Sequence, residues 1–302
     1  MMIFTKRLLA ILCLCVTVFQ GVSQQVDIFK IQDSTAATGN EPVINTFYST
    51  RLVNSHTVEI LNPGSMDFRI NHRFGPVNQG IYEMFGLDQA SMRIGFDFGL
   101  CKNLMVGIGR FSTAKEYDWF AKWRIMHQKT GAGAPLSIDL VGAMAYKTLN
   151  LGPSFVVTGA DRTYYTAQLL IASKLNAHTS IQVSPTYTHY NRIFFLTGGS
   201  KDLFSIGLLA RQRISRRVSI NAEYFLQTTR FNNTYDPLSI GVDINTGGHV
   251  FQLHFTNSTG MNEHTFIHET NGSWGNGAIR WGFNISRIFF IGKKNKATVN
   301  VK

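Results

Sequence analysis

The sequence predicts an all-β protein: an antiparallel up-and-down transmembrane β-barrel of about 12 strands. Three observations carry this. Apolar and polar residues alternate with a period of two in stretches of roughly 8 to 13 residues along most of the chain, which matches the about 9–11 residues a tilted membrane strand needs. The connections between stretches alternate short and long, the mark of tight periplasmic turns and longer outer loops. The 302 residues are 44% apolar and 12% aromatic but only 16% charged, against roughly 25% charged in ordinary soluble domains.

The chain opens with an address rather than a strand. Residues 1–23 read as a cleaved signal peptide, with Lys6 and Arg7 before the apolar run Leu8 to Phe19, a run too short for a membrane anchor. Its removal would take the formal charge from +11 to +9 and leave Cys101 as the only cysteine, so no internal disulfide is expected. Residues 24–50 are expected to be an N-terminal periplasmic or plug segment, 51–292 the barrel, and 293–302 a polar C-terminal tail. His56 to Leu61 also alternates and joins the first strand through Asn62-Pro63-Gly64-Ser65. As a thirteenth strand it would break the even count, so a place inside the lumen is the other reading.

Strands are expected near 65–74, 91–99, 104–111, 117–127, 136–147 and 162–174, then 179–190, 203–213, 217–227, 238–246, 249–256 and 278–288. Val218, Ile220, Ala222, Tyr224 and Leu226 oppose Ser219, Asn221, Glu223 and Gln227, and Leu238, Ile240, Val242 and Ile244 oppose Ser239, Gly241, Asp243 and Asn245. A helical period would scatter these sets. A soluble sandwich also alternates, but its strands average about 5–6 residues. The long connections fall at 75–90, 148–161, 191–201, 228–237 and 257–277, and their parity puts both chain ends on the periplasmic side.

The run Asn71-His72-Arg73-Phe74-Gly75, followed by Lys115-Glu116-Tyr117-Asp118 and Lys122-Trp123-Arg124, resembles a family of exported Gram-negative outer-membrane β-barrel proteins known only as a domain of unknown function. The likeness extends over roughly Val43 to Phe290. It implies an outer-membrane barrel and carries no established activity.

With the oily faces against lipid, the opposite faces define the lumen. Its expected lining includes Arg69, Arg73, Arg93, Asp97, Asp118 and Lys122, then Arg124, Asp139, Glu223, Asp243, His254 and Arg280. Eight Arg and Lys against six Asp and Glu on the inward faces tilt this lining positive. Phe111, Phe120 and Phe225 are the inward aromatics, whereas Tyr117, Trp119, Trp123, Tyr187 and Trp281 belong to the lipid face and its girdles. Twelve strands lie between a side-chain-filled interior and an aqueous channel. The lining therefore reads either as a salt-bridge network bracing an occluded barrel or as a constriction for an anionic solute.

The expected function is a narrow channel or binding barrel for a small, anionic solute; the alternative is an occluded structural or interaction barrel. A barrel enzyme is the third reading, and it finds no support in HExxH, GxSxG, P-loop or GxGxxG patterns. No cofactor or metal is expected. His264 and His268 have the i,i+4 spacing of a metal pair, but their Asn-, Gly-, Ser- and Thr-rich surroundings read as a solvated outer loop. A basic exported barrel is expected to meet outer-membrane lipid, lipopolysaccharide and a small solute rather than nucleic acid.

Overall fold

The computed structural model describes residues 40–292 except 132, 153–155 and 195. The expected signal peptide, most of the segment before Thr50 and the C-terminal tail lie outside the described residues. Twelve antiparallel strands close into one barrel, each paired with its neighbours in sequence and the first paired with the last. They are β1 Ser65–Pro76, β2 Ala90–Cys101, β3 Leu104–Phe111, β4 Glu116–Met126, β5 Ser137–Lys147 and β6 Thr163–Lys174. The other half is β7 Thr179–Tyr190, β8 Asp202–Arg213, β9 Val218–Gln227, β10 Leu238–Asn245, β11 His249–Thr256 and β12 Arg280–Phe290. Every strand begins and ends within two residues of its expected limits. Closure runs from Ser65 opposite Phe290 to Arg73 opposite Gly282, so no sheet edge is left open.

The burial pattern is that of a protein turned inside out. Arg69, Arg73, Arg93 and Lys122 are at most 1% exposed, while Trp123 is 54%, Phe204 51% and Leu253 56% exposed. A soluble sandwich places its apolar face inside; this wall does the opposite on every strand, as a bilayer requires. The long connections gather at one end and the tight ones, such as 102–103 and 246–248, at the other, where β1 starts and β12 stops.

The interior is filled from both ends. From the short-turn end, residues 47–61 enter the lumen, with Phe47, Ser55, His56 and Thr57 fully buried. The alternating His56 to Leu61 stretch is thus not a thirteenth strand. Its backbone groups pair with lumen side chains instead of with a strand, which preserves the even count. From the long-loop end, residues 257–279 fold inward and carry a short helix, α1 (Glu263–His268), all of it buried. This corrects the expectation of a solvated loop: His264 and His268 are 2% and 0% exposed. Where plug and loop meet the wall, Phe47, Leu52, Val58 and Leu61 pack with inward Met105, Val141, Leu170 and Leu209, and with Phe266 and Ile267 of the loop.

Candidate functional site: the occupied lumen

Strand alternation aims every second side chain inward, most of them polar or charged, and the plug uses these side chains as hydrogen-bonding partners. A segment with no strand beside it must satisfy its backbone polar groups some other way or lose stability for each one left buried and unpaired. The carboxylate of Glu223 on β9 accepts from three successive backbone N–H groups, those of Val53 at 3.2 Å, Asn54 at 3.0 Å and Ser55 at 3.1 Å. It also accepts from Asn54 Nδ2 at 2.8 Å. Consecutive amides converging in this way form an anion-binding concavity, and here the anion is a side chain of the wall. Lys122 Nζ on β4 donates to the carbonyls of Thr57 at 2.8 Å, Glu59 at 2.9 Å and Thr50 at 3.2 Å.

The remaining plug carbonyls are met in the same manner. Asn284 Nδ2 donates to Val53 O at 2.8 Å, Gln182 Nε2 to His56 O at 2.8 Å, and Gln252 Nε2 to Leu52 O. Arg124 donates to Val58 O and lies 3.4 Å from Asp139. Arg69 joins Asp67 at 2.9 Å to the plug hydroxyls of Ser49 at 2.5 Å and Thr50 at 3.0 Å. Arg73 donates to Asn54 Oδ1 at 2.7 Å and to Asn284 Oδ1 at 3.0 Å.

The other expected lining residues also face the lumen. Arg93 makes a two-point ion pair with Asp118, its Nε 2.9 Å from Oδ2. Its guanidinium lies across Gly109, where an added Cβ would overlap it. Gly109→Val is therefore expected to push Arg93 off Asp118 and lower barrel stability by about 3 kcal/mol, the low end for breaking a buried pair. Urea unfolding followed by electrophoretic heat modifiability checks it, and an unchanged midpoint would show the notch to be dispensable. Asp97 is buried beside this pair. Asp243 accepts from Gln252 at 3.1 Å. His254 is buried with neither ring nitrogen hydrogen-bonded. Arg280 braces the long loop through Asn257 O at 2.9 Å and Asn271 Oδ1 at 3.3 Å.

The positive tilt expected of the lining shrinks to a single charge. Seven Arg and Lys and seven Asp and Glu of the strands are buried, with Arg124 less deeply placed. Glu116 makes the difference, because it opens β4 facing inward and pairs with Lys147 at 3.2 Å. The lining as it stands is close to neutral, with one cation in excess once Arg124 is counted.

Sequence reasoning did not anticipate the contact between the two fillers. Arg51 of the plug donates to Glu263 of α1 at 2.7 Å, and His56 Nε2 lies 3.1 Å from the same oxygen. Burial by itself would raise the Glu263 carboxyl, but Arg51 and His56 outweigh it and hold the group well below the usual carboxylate range. Burial, reinforced by the charge of His264, pushes His268 down to about 3. Between its ordinary value of 6.5 and that figure, an undocked loop binds a proton that the docked loop excludes. Docking is therefore expected to weaken by up to about 1.4 kcal/mol for each pH unit below that ordinary value. Glu263 adds a further loss only in stronger acid, as its carboxylate is protonated. Hydrogen exchange across 257–272, corrected for the intrinsic pH dependence, is expected to be faster at pH 5 than at pH 7; equal protection would contradict this.

A second cluster closes the long-loop end. His264 stacks on Tyr164 at 4.3 Å and lies 3.4 Å from Glu116. Tyr190 packs edge-on against Tyr164 at 5.0 Å and donates to Glu269 at 3.2 Å. Above them opens a cavity of about 340 Å³ bounded by the loop residues Arg192, Ile193, Leu196 and Thr197 and by 232–234.

A family model described as "Membrane bound beta barrel domain (DUF5777)" matches residues 47–289. No curated protein matches the chain. Among solved structures, the chain is similar to the KdgM porin at 8% identity, with 74% of this chain and 99% of that one covered and a TM-score of 0.46. The NanC porin is similar at 6% identity, 74% and 98% coverage and a TM-score of 0.45. The translocator domain of the autotransporter NalP from Neisseria meningitidis is similar at 11% identity, 77% and 90% coverage and a TM-score of 0.39.

Proposed function

The chain belongs to the DUF5777 family of membrane-bound β-barrel domains, and from that premise we propose that it is a plug-gated outer-membrane channel for a small solute. One observation carries the reading: the plug is held in the lumen by hydrogen bonds from wall side chains, with Glu223 and Lys122 each gripping three backbone groups of it. Such bonds are reversible, because each is exchangeable for a bond to water once water enters. The family match begins at Phe47, the first residue of the plug, so plug and wall belong to one domain.

With the plug docked, the path is filled by residues 47–61 from the periplasmic side and by α1 from outside. With the plug displaced, Lys122, Arg73 and Glu223 lose their neutral plug partners together, which leaves a wet lumen lined by both signs of charge. Selectivity would then follow diameter more than charge. The function is passage, and no reaction is assigned to it. The occluded interaction barrel is the second reading, favoured by the apolar packing of Phe47, Leu52 and Val58. Planar-bilayer recordings separate the two: the intact chain is expected to be closed most of the time with brief openings. Complete silence of the intact and plug-deleted chains would favour the occluded barrel, and a steadily open intact chain would overturn both readings.

A further inference from the structure

The cavity at the long-loop end is polar, walled by ordered rings and close to charge balance, and these three properties together select a ligand class. Its volume of about 340 Å³ falls at the small end of the roughly 300–1,000 Å³ range of ligand pockets. One or two sugar-sized rings fill that space. Lys147, Tyr164 and Tyr190 line it from the strands and Glu269 from the inward-folded loop, and Arg192 and Asn233 are among the other loop residues that close it.

The charges in this lining are already matched. Lys147 pairs with Glu116 at 3.2 Å, and Arg192 lies 3.7 Å from Asp161. Glu269 accepts from Tyr190 and sits 3.8 Å from His264. An anionic ligand would have to compete with these carboxylates for each cation. A wholly apolar ligand would strip water from Lys147 and Glu269 without replacing it, an unfavourable exchange. What the lining still offers is directional hydrogen bonding beside apolar surface. Asn232, Asn233 and Thr197 share the lining with Ile193 and Leu196. Planar amides match hydroxyls on adjacent carbons, while the aliphatic surface of Ile193 and Leu196 matches the C–H faces of a pyranose.

The wall is also fixed before any ligand arrives. Tyr164 is stacked on His264, and Tyr190 is held edge-on between Tyr164 at 5.0 Å and Phe231 at 5.3 Å. Rings locked by their neighbours lose little freedom on binding.

We propose that this cavity binds an uncharged saccharide of one or two rings at the outer mouth. The placement at the outer mouth rests on the proposed membrane orientation; the binding chemistry does not. The test is saturation-transfer NMR on the refolded full barrel in detergent, using methyl β-D-glucopyranoside, methyl β-D-galactopyranoside, maltose and glucuronate at millimolar concentration. At least one neutral sugar is expected to receive saturation more strongly than glucuronate. Thr197→Trp, which fills the cavity from its loop, is expected to weaken that binding about tenfold or more. Ser200→Trp, on the same loop but outside the lining, is expected to retain it. Heat modifiability confirms that both variants keep the barrel. The proposal is overturned by no transfer to any neutral sugar, by a preference for glucuronate, or by binding that survives Thr197→Trp. Because no voltage or flux enters the measurement, its result is independent of whether the plug gates a channel.

Discussion

Deleting residues 47–61 is expected to convert a mostly closed barrel into a steadily conducting one. The first wall residue of β1 is Ser65, so the deletion removes no strand and breaks no ladder. It removes the chain that fills the short-turn half of the lumen and the Arg51 partner of Glu263. Loop 257–279 then loses both plug partners of Glu263, Arg51 and His56, and the mouth loosens with it. A 12-stranded wall is wider than the eight-stranded barrels that side chains fill, so mean current at fixed voltage is expected to rise by at least about tenfold. Planar-bilayer recording checks this, with heat modifiability showing that the barrel has closed. A folded deletion variant that stays silent would mean that the wall's own side chains and the outer loop block the path.

The second large effect is expected from a single carboxylate. Glu223→Ala removes the acceptor shared by the Val53, Asn54 and Ser55 amides and by Asn54 Nδ2. Those donors are buried, and each buried group left unmatched costs about 1–3 kcal/mol, less where water enters to replace the carboxylate. Plug docking is therefore expected to weaken by about 3–5 kcal/mol. Hydrogen exchange in 50–58 is expected to accelerate by two or more orders of magnitude while the strands stay protected. Glu223→Gln keeps one oxygen acceptor and is expected to fall between the two. Equal protection of 50–58 in wild type and Glu223→Ala would show that the apolar contacts of Phe47, Leu52 and Val58 hold the plug by themselves.

The site was legible in part. Arg69, Arg73, Arg93, Lys122 and Glu223 stood out because polar residues at every second position must share a face, and the outward-facing large aromatics identified which face met lipid. The plug's wall contacts left a fainter trace. Leu104-Met105, Leu140-Val141, Leu169-Leu170 and Leu208-Leu209 break the alternation with two adjacent apolar residues, and the second of each pair points inward against the plug. Those breaks were the available signal that something apolar lies in the lumen. Glu116 escaped notice because it opens its strand beside a turn, where the period has only begun.

The sequence by itself determined the wall: its strand limits, which face meets lipid and which end carries the long loops. These follow from a period of two and from turn spacing, both of which are local and repeat twelve times. Tertiary structure alone decided what occupies the lumen and whether its charges are free. Asn54 meets Glu223 across 169 residues, and Arg51 meets Glu263 across 212. No periodicity encodes such a pair. The plug pairs with no strand of the wall, so its position is set by the side chains that the closed barrel brings together around it.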